Sequence, residues 1–563
     1  MITYELRLTT TASGAGFFSC FPLDNPGFEE CLSYLHSHPN DEFMHKHLLS
    51  IIRSFSKEAL SKMIEKSKQN DKIMAALVFE ACLVYEKFFH LRNQFSPVEK
   101  KQLLAYTPLI FMKSQQQNDQ TLHSKWNRLF DANILAHHPL PSPKKVGLQL
   151  PFSQKALSST THDNVSINEL YQTMSVKTPP GNAALPSAEE TARHAIEKLS
   201  TADLLAGAEM RHQSSLSPYA LLRNWHVKLS VKNRRHHFSL SGIQTAYGKG
   251  FSLWAARASY AMEIVERCSS FTNVGAAGAL GYITDYPLIF AGFDELQKRD
   301  MTVLNPNALN LEVPYHNEPL HWLECQRYSG GKYEPVLIPA QSVFLFSNLD
   351  EMNLFSGLGS TGFASGNSIE QAKINALLEM IERDAEATTP YDPSGCFKIE
   401  TDDPQLATLL SDYHAKGIEV RFQDITSSLG VPCYKCFVVM QDKSVVKGTG
   451  AHLNGKQALL SAMAETPYPY PIGPPSGSGP DHLPVRNLEI LPDYSLGSVT
   501  ADLKFIETLL AGHGYFPVYI DLTRQDLLIP VIRVLLPGME LMADFDCFSR
   551  VSPRLFNNYV QMF

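Results

Sequence analysis

From about residue 215 to residue 560, strand-like apolar runs alternate with helical stretches. The runs are HFSLSGIQTAY, EPVLIPAQSVFLF, GIEVRFQDI, CYKCFVVM and LLIPVIRVLL, and helical periodicity separates them at 252–270, 369–386, 402–416, 455–465 and 499–513. Strands that alternate with helices bury their apolar faces as layers of sheet and helix. The sequence therefore predicts a mixed α/β domain over residues 215–563.

The part of the chain before this domain has two different patterns. Residues 1–140 carry mostly helical periodicity, as in EALSKMIEKSKQNDKIMAALVFEACLVYEKFF. Residues 141–214 contain PSPKKVGLQLPFSQ, SSTTHDN and TPPGNAALPS, whose Pro, Ser and Asn are typical of a linker. We expect a small, mostly helical N-terminal domain of unknown role at 1–140 and an irregular segment at 141–214.

Charge and apolar content exclude several classes of protein. The formal net charge of -8 gives no global basic field, so we expect no nucleic-acid partner. No run of about 18 consecutive apolar residues occurs, so we expect no membrane span. Nine scattered cysteines suit a reducing compartment, and we expect a cytoplasmic protein. The close pair Cys433 and Cys436 lies in a strand-like run, which favours packing over a zinc site.

The stretch YGKGFSLWAARASYAMEIVERCSSF predicts a helix with two carboxylates on one face. Ser252 follows the glycine turn Gly248-Lys249-Gly250 and is a suitable N-cap. The helical period then places Ser259, Glu263 and Glu266 along one face. Two like charges one turn apart repel each other, and a bound cation would reverse the sign of that interaction.

The stretch STGFASGNSIEQAKINALLEMIERDAEA repeats the arrangement with Glu379, Glu382 and Arg383. A single ExxER pattern is usually a solvated, salt-bridged helix face. Two copies, each after a glycine turn and among small apolar residues, favour a functional interpretation. Four converging carboxylates suit a hard cation such as Mg²⁺, which completes its shell with water and phosphate oxygens. The pair of helices therefore suggests a nucleoside triphosphate.

Two basic residues are candidates for phosphate contact. Lys249 lies in the glycine turn, but the places of a P-loop's first Gly and its Ser or Thr hold Ile243 and Gly250, so the turn is not a Walker A motif. A glycine turn at a helix N-terminus still offers N–H groups to an anion, whereas an exposed Lys on a turn is the plainer alternative. Arg533 interrupts an apolar strand and either faces solvent or pairs with phosphate.

In order along the chain, these motifs resemble the YcaO family. The first resembles the signature of GKG, then S/T, then A-x-x-S-A-x-x-E-x-x-E-R. The second, Thr361 to Asn367 followed by Ala376 to Asp384, is similar to N/T-G-x-A-x-G-N followed by A-L-x-E-x-x-E-R-D. GTGAHLNGKQALLSAMAE resembles a third signature, and the strand from Pro530 with Pro537-Gly538 resembles the closing P-V-x-R-x-x-x-P-G.

The resemblance implies an ATP-binding fold in which Mg²⁺ is held by glutamates and a phosphoryl group passes to a backbone amide oxygen of a peptide. It implies the metal ligands Glu263, Glu266, Glu379 and Glu382. It implies ATP-binding residues Lys249, Ser252, Ser259, Asn367, Gln371 and Arg533. Arg533 and Glu382 form the expected catalytic set, and Arg267 and Arg383 are expected to orient the carboxylates.

Two departures from the family pattern bear on the chemistry. Gln371 stands where members usually carry a Glu that resembles an additional metal ligand, and Gln brings no charge. Ser368 with Gln371 also fits a capping box. Azoline-forming members often end in a Pro-rich tail, whereas this chain ends NNYVQMF. Azoline and thioamide products therefore both stay open.

Two classes of function follow from these motifs. The first is an ATP- and Mg²⁺-dependent enzyme that activates a peptide or protein substrate, for which the resemblance implies an E1-like or TfuA-like partner protein and a homodimer. The second is a nucleotide-binding regulatory or degenerate member without peptide-modifying turnover, which Gln371 favours and the intact glutamate pairs oppose.

Overall fold

The chain folds into three sheets flanked by helices. The computed structural model describes residues 1–10, 16–152, 165–176, 185–479, 482–541 and 545–563. The stretches SSTTHDN and TPPGNAA of the predicted linker, residues 158–164 and 178–184, lie outside these residues. The mixed α/β fold predicted from the alternating pattern is confirmed.

The strands fall into three groups by sheet. The first sheet contains β1 (Ile2–Thr10), β2 (Gly16–Pro22), β3 (Leu205–Arg211), β4 (Tyr219–Asn233), β5 (His236–Gly250), β6 (Asn273–Gly275) and β7 (Gly278–Leu280). The second contains β8 (Ile289–Ala291), β9 (Leu320–Ser329), β10 (Lys332–Pro339), β11 (Phe363–Ser365), β17 (Val518–Asp521) and β18 (Val531–Leu535). The third contains β12 (Cys396–Glu400), β13 (Arg421–Asp424), β14 (Cys433–Val439), β15 (Val445–Ala451) and β16 (Val485–Asn487).

The α-helices of the described residues occur in both halves of the chain. Before residue 215 they are Phe28–Ser37, Glu42–Ile52, Lys57–Asn70, Lys72–Val84, Pro97–Leu103, Phe111–Gln115, Gln120–Ile134, Pro143–Val146, Ile167–Ser175 and Ala188–Thr201. After it they are Leu253–Ser270, Phe293–Lys298, Ile369–Thr388, Pro404–Ala415, Gly455–Glu465, Val499–Gly512 and Pro553–Gln561. We call Leu253–Ser270 the first acidic helix and Ile369–Thr388 the second acidic helix.

The sheets are joined in an order that the local pattern does not predict. The first sheet runs β2-β1-β5-β4-β6-β7, with β3 also on β4. The second runs β10-β9-β17-β18-β11, with β8 on β9, and the third runs β15-β14-β13-β12-β16. Most pairs are antiparallel, but β1 is parallel to β5, and Leu6 lies opposite Gly242. The N-terminal strand is therefore part of the same sheet as the strand that leads into the first acidic helix.

The N-terminal helical region shares a hydrophobic core with the first two sheets. Leu48 and Leu77 belong to the same buried cluster as Val231 and Leu240 of the first sheet and Ile520 of the second. Burial of this shared apolar surface away from water stabilises the contact between the N-terminal helical region and the two sheets. The division of the chain at residues 140 and 214 stays a prediction.

The structure differs from the irregular segment that we expect at 141–214. The helix Ala188–Thr201 and strand β3 lie within it. Ser187 and Glu190 form a capping box: the Ser187 Oγ accepts from the Glu190 amide at 3.2 Å and the Glu190 carboxylate accepts from the Ser187 amide at 2.7 Å. The capping residue Ser187 stands at the end of TPPGNAALPS, whose Pro and Gly residues dominate the local composition.

No helix of the described residues is long and apolar enough to span a membrane. The close cysteine pair packs as predicted: Cys433 and Cys436 are both buried in β14, in two different apolar clusters on the two faces of that strand.

Candidate active site

The two acidic helices begin as the sequence predicts. Ser252 caps the first, because its Oγ accepts from the Ala255 amide at 3.1 Å, and Ser368 caps the second by accepting from the Gln371 amide at 3.2 Å. The Gln371 Oε1 accepts from the backbone amide of Asn367, one residue before the cap, at 2.8 Å, so only the Ser368 half of the predicted capping box is found. The Gln371 side-chain carbonyl oxygen is thus already hydrogen-bonded at the start of the helix.

The glycine motif before the first acidic helix is not the turn that we expect. Gly248, Lys249 and Gly250 are the last residues of β5. A Cβ on Gly248 would lie 2.0 Å from the Ala256 carbonyl oxygen, because the helix packs directly on the strand. Glycine is needed here for close approach of strand and helix rather than for a turn conformation.

The helices approach each other across β11 and β18, on which both pack. The Ser365 Oγ of β11 donates to the Met262 carbonyl of the first acidic helix at 2.9 Å. The carboxylates of Glu266 and Glu379 act on each other electrostatically, and Arg267 of the first helix acts on Glu379 of the second. The predicted meeting of two helices that are distant in sequence is confirmed.

Each helix holds its glutamate pair in the same way. On the first, Arg267 lies 3.6 Å from Glu263 and 3.5 Å from Glu266. On the second, Arg383 lies 3.9 Å from Glu379 and 3.8 Å from Glu382. Arg383 also lies 3.7 Å from Glu386. These distances are long for hydrogen-bonded ion pairs, so each arginine balances its neighbouring carboxylates without saturating their oxygens.

Backbone and hydroxyl donors fix three of the four carboxylates. The Tyr247 amide donates to Glu263 at 2.9 Å, and the Gly362 amide donates to Glu379 at 3.1 Å. The Thr449 hydroxyl donates to Glu382 at 2.6 Å. In both helices the first glutamate therefore anchors the backbone that leads into its own motif.

Burial controls the protonation of this group. Desolvation raises the pKa of Glu266 to about 8 against the opposing effect of Arg267, and the Glu379 and Glu263 carboxylates raise it further. Desolvation likewise raises the pKa of Glu382 to about 7 and raises the pKa of Glu263 and Glu379. Because the glutamate side chains keep 15–29% of their surface exposed, they line a cleft rather than an apolar core.

Arg533 is a fully buried cation on which Glu379 and Glu266 act electrostatically. Its side chain is 0% exposed, its Nη1 donates to the Thr361 carbonyl, and its Nε and Nη2 have no hydrogen-bond partner. Desolvation lowers the pKa of Arg533 to about 9, while Glu379 and Glu266 raise it. A buried guanidinium with two unmatched N–H groups is suited to an oxygen-rich anion.

The remaining predicted nucleotide-binding residues lie along the two motifs. Lys249 forms an ion pair with Glu465 at 2.6 Å, and Ser259 is half-buried in the first acidic helix. The side-chain Nδ2 of Asn367 donates to the Thr191 hydroxyl at 3.1 Å. Ser252 is exposed at the helix start.

Two residues in this neighbourhood were not predicted. Glu465 acts on both Glu263 and Arg383, so it is a fifth carboxylate beside the cleft. Glu465 is the last residue of the third signature, and that signature is the sequence feature that could have identified it. Thr191 belongs to the helix Ala188–Thr201, which lies outside every motif, so no local pattern connects it to Asn367.

The carboxylates border one cleft but do not gather on one point. Among the described residues, no three His, Cys, Asp or Glu side chains lie close enough together to hold a metal ion. This differs from the four converging carboxylates that we expect, because repulsion keeps the pairs apart and an arginine lies beside each. Mg²⁺ uses only about one or two carboxylates together with phosphates and water. The donor set, with unmatched N–H groups on Arg533, fits Mg²⁺ bound with a triphosphate.

Comparison with known proteins gives the family of this region. Residues 247–467 match the family model described as YcaO cyclodehydratase, binding ATP and Mg²⁺. An uncharacterised protein of Methanothermobacter thermautotrophicus is 28% identical over 331 residues, which are 52% of this chain and 81% of that protein. The family match supports an ATP-dependent function of the cyclodehydratase kind.

A solved structure of low sequence identity shares the fold. A heterocyclase in complex with substrate and cofactor matches with a TM-score of 0.51 at 18% identity, over 64% of this chain and 55% of that one. The chain thus spans about half the length of that heterocyclase. The YcaO protein of Methanopyrus kandleri, solved with AMPPCP and Mg²⁺, matches with a TM-score of 0.45 at 20% identity, over 63% of this chain and 92% of that one. The likeness to the YcaO family therefore lies in residues 247–467 of this chain.

Proposed function

We propose that this chain is an enzyme that uses ATP and Mg²⁺ to phosphorylate a backbone amide oxygen of a peptide, giving an azoline or a thioamide. One observation carries the proposal: Glu266 and Glu379, from two helices distant in sequence, border one cleft beside the unmatched guanidinium of Arg533. That combination of acid and base is suited to a metal–phosphate ligand and to little else that proteins bind.

The chemistry explains why phosphoryl transfer is needed. An amide carbonyl is a poor electrophile and its oxygen is a poor leaving group. Bound Mg·ATP would supply a phosphoryl group that lets this oxygen depart as phosphate. A neighbouring Cys, Ser or Thr side chain of the substrate then closes an azoline ring, whereas external sulfide gives a thioamide.

The residues of the cleft divide this work between holding and neutralising charge. Glu263, Glu266, Glu379 and Glu382 would share the binding of Mg²⁺, with about one or two carboxylates to an ion and phosphate and water completing its shell. Arg267 and Arg383 would keep the carboxylates in place. Lys249, Ser252, Ser259, Asn367 and Gln371 would bind the nucleotide. Arg533, fully buried and already positioned, would neutralise charge that develops during transfer, with Glu382 completing the catalytic set. Pre-positioned groups of this kind supply most of the catalysis in phosphoryl transfer.

The experiment measures Mg²⁺-dependent ADP release with and without candidate Cys-, Ser- or Thr-containing peptides. We expect Glu263→Gln to reduce peptide-stimulated release by about 100-fold or more, because a metal-holding charge is lost. Glu65→Gln, an exposed glutamate of the helix Lys57–Asn70, is the matched control and should behave as wild type. Equal rates in Glu263→Gln and wild type would reject the proposal.

The second candidate is a nucleotide-binding regulator. Gln371 favours it, because this residue brings no charge and its carbonyl oxygen already accepts from the Asn367 backbone amide. A regulator should bind ATP and Mg²⁺ but show no peptide-stimulated ADP release from the wild-type chain. The same assay therefore separates the two candidates.

A further inference from the structure

A cavity of 280 Å³ adjoins Arg533 on the side of the N-terminal helical region and the C-terminal segment. Its volume is close to the lower end of the range of about 300–1,000 Å³ for small-molecule sites. Apolar side chains supply much of its wall, among them Leu309, Phe355, Leu358 and Leu541. Thr361, whose carbonyl accepts from Arg533, is also part of the wall.

The charged side chains on the wall are matched by neighbours, with one exception. The Arg550 guanidinium donates to Asp119 at 2.7 Å and to the His123 Nε2 at 2.9 Å. Glu312 accepts from the Ser356 amide at 3.0 Å.

Glu540, also on the wall, accepts from Asn310 at 3.2 Å. The exception is Arg533, whose Nε and Nη2 have no partner. A guest therefore meets a partly apolar wall whose charged side chains are hydrogen-bonded to neighbours, apart from the unmatched nitrogens of the buried Arg533.

This wall selects its guest by chemistry. A cationic side chain would lose its hydration beside the like charge of Arg533, and a carboxylate could pair with Arg533 only against the repulsion of Glu312 and Glu540 on the same wall, so both are costly. An uncharged apolar segment loses little, and a carbonyl oxygen within it could accept from the Arg533 guanidinium. Because Arg533 also adjoins the carboxylate cleft, such a carbonyl would lie next to the place where a phosphate is expected.

We propose that this cavity receives the uncharged, apolar stretch of the peptide substrate that carries the reacting amide. The inference rests on the proposed function and adds the substrate class to it. His123 and Phe152 come from the region before the family domain, and Ser549 and Val551 come from the region after it. Substrate selection is thus shared between residues 247–467 and the parts of the chain before and after them.

The test maps where a peptide binds to the full chain. The probe is an N-acetylated, C-amidated pentapeptide with photoreactive leucine on both sides of a central Cys, crosslinked by light and located by mass spectrometry. We expect crosslinks on Leu309, Leu358 or Leu541. The unlabelled Leu-flanked peptide should compete, whereas peptides flanked by Glu or by Lys should not.

Variants that fill the cavity provide the matched comparison. Leu358→Trp and Leu541→Trp, from two parts of the wall, should each reduce crosslinking about tenfold, a change of about 1.4 kcal/mol. Leu358→Met, which keeps the volume, and Ile490→Trp, at a position 79% exposed, should leave it unchanged. Thermal unfolding confirms that each variant is folded, and the second tryptophan variant serves if the first is not.

Three outcomes would overturn the inference: crosslinks outside the cavity, equal yields in both tryptophan variants and Leu358→Met, or equal competition by the charged peptides. Failure of the proposed function has a different signature, the absence of peptide-stimulated ADP release from wild type. The crosslink positions test the cavity whether or not ADP is released.

Discussion

Lys435 is a fully buried lysine of β14 whose Nζ has no hydrogen-bond partner. Desolvation and then the charge of Lys447 lower its pKa to about 7. The titratable groups that act on it come from its own strand and three neighbouring elements: Cys433, Lys447, Glu386, Cys396 and His137. Glu386 is the one carboxylate among them, and it is already paired with Lys447 at 2.7 Å.

This residue predicts a pH dependence of stability. The unfolded chain keeps Lys435 protonated up to about pH 10.4, whereas the folded chain releases that proton near pH 7. Between these pH values the unfolded state binds more protons than the folded state. Raising the pH from 7 to 10.4 therefore increases the free energy of unfolding by about 4 kcal/mol through Lys435. Denaturant unfolding of Lys435→Met should show that contribution missing, with the variant more stable than wild type at pH 7.

The control is Lys504→Met, at an exposed position on the helix Val499–Gly512. It should keep the wild-type slope of stability against pH. A slope in Lys435→Met equal to that of wild type would show that this lysine is charged when the protein is folded.

For single residues, the sequence predicts the role of a side chain better than it predicts which residue that side chain contacts. Ser252 and Ser368 are found as helix caps because capping depends on residues three positions apart. Lys249 was predicted to meet phosphate, and in this structure it meets Glu465, which is 216 residues away. A contact of that sequence separation depends on the whole fold and has no local signal.

At the scale of elements, two strands end in glycine motifs that lie directly against the helix that follows. A Cβ on Gly248 of β5 would approach the Ala256 carbonyl oxygen to 2.0 Å, and one on Gly450 of β15 would approach the Ala458 carbonyl oxygen to 2.3 Å. The same strand-to-helix unit therefore occurs before the first acidic helix and before Gly455–Glu465.

We predict that Gly248→Ala is strongly destabilising. A methyl group in a strand normally gains up to about 1 kcal/mol in chain entropy, but here it must displace backbone, at a cost of about 3 kcal/mol. Because the steric cost exceeds the entropic gain, the midpoint of thermal unfolding should fall. Gly27→Ala is the control, since its Cβ would meet nothing within 4 Å. An unchanged midpoint for Gly248→Ala would contradict the close packing of β5 on the first acidic helix.

Helices were more predictable than the segments between them. The acidic helices follow from periodicity and caps within their own residues. The letters Gly248-Lys249-Gly250 favour a turn locally, and only the helix packed on them explains why they continue a strand. Helix Ala188–Thr201 was missed because Pro- and Gly-rich letters precede its capping box.

At the scale of the whole molecule, the N-terminal region is tied to the family domain by polar contacts as well as by the shared core. The Asp350 carboxylate accepts from Asn40 at 2.8 Å and from Arg235 at 2.6 Å. Asn348 likewise donates to Asp41 at 3.0 Å. The small N-terminal domain stays a prediction from composition, and composition carries no signal for the parallel pairing of β1 with β5, which joins residues more than 200 positions apart.

The central claim is that the two acidic helices act together on one Mg²⁺ and nucleotide. The most direct measurement is a double-mutant cycle of AMPPCP affinity for Glu266→Gln, Glu379→Gln and the pair, with Mg²⁺ and with EDTA. We predict a coupling of about 0.5–3 kcal/mol that is present only with Mg²⁺. Losses that add to within about 0.5 kcal/mol, or a coupling that persists in EDTA, would contradict the claim.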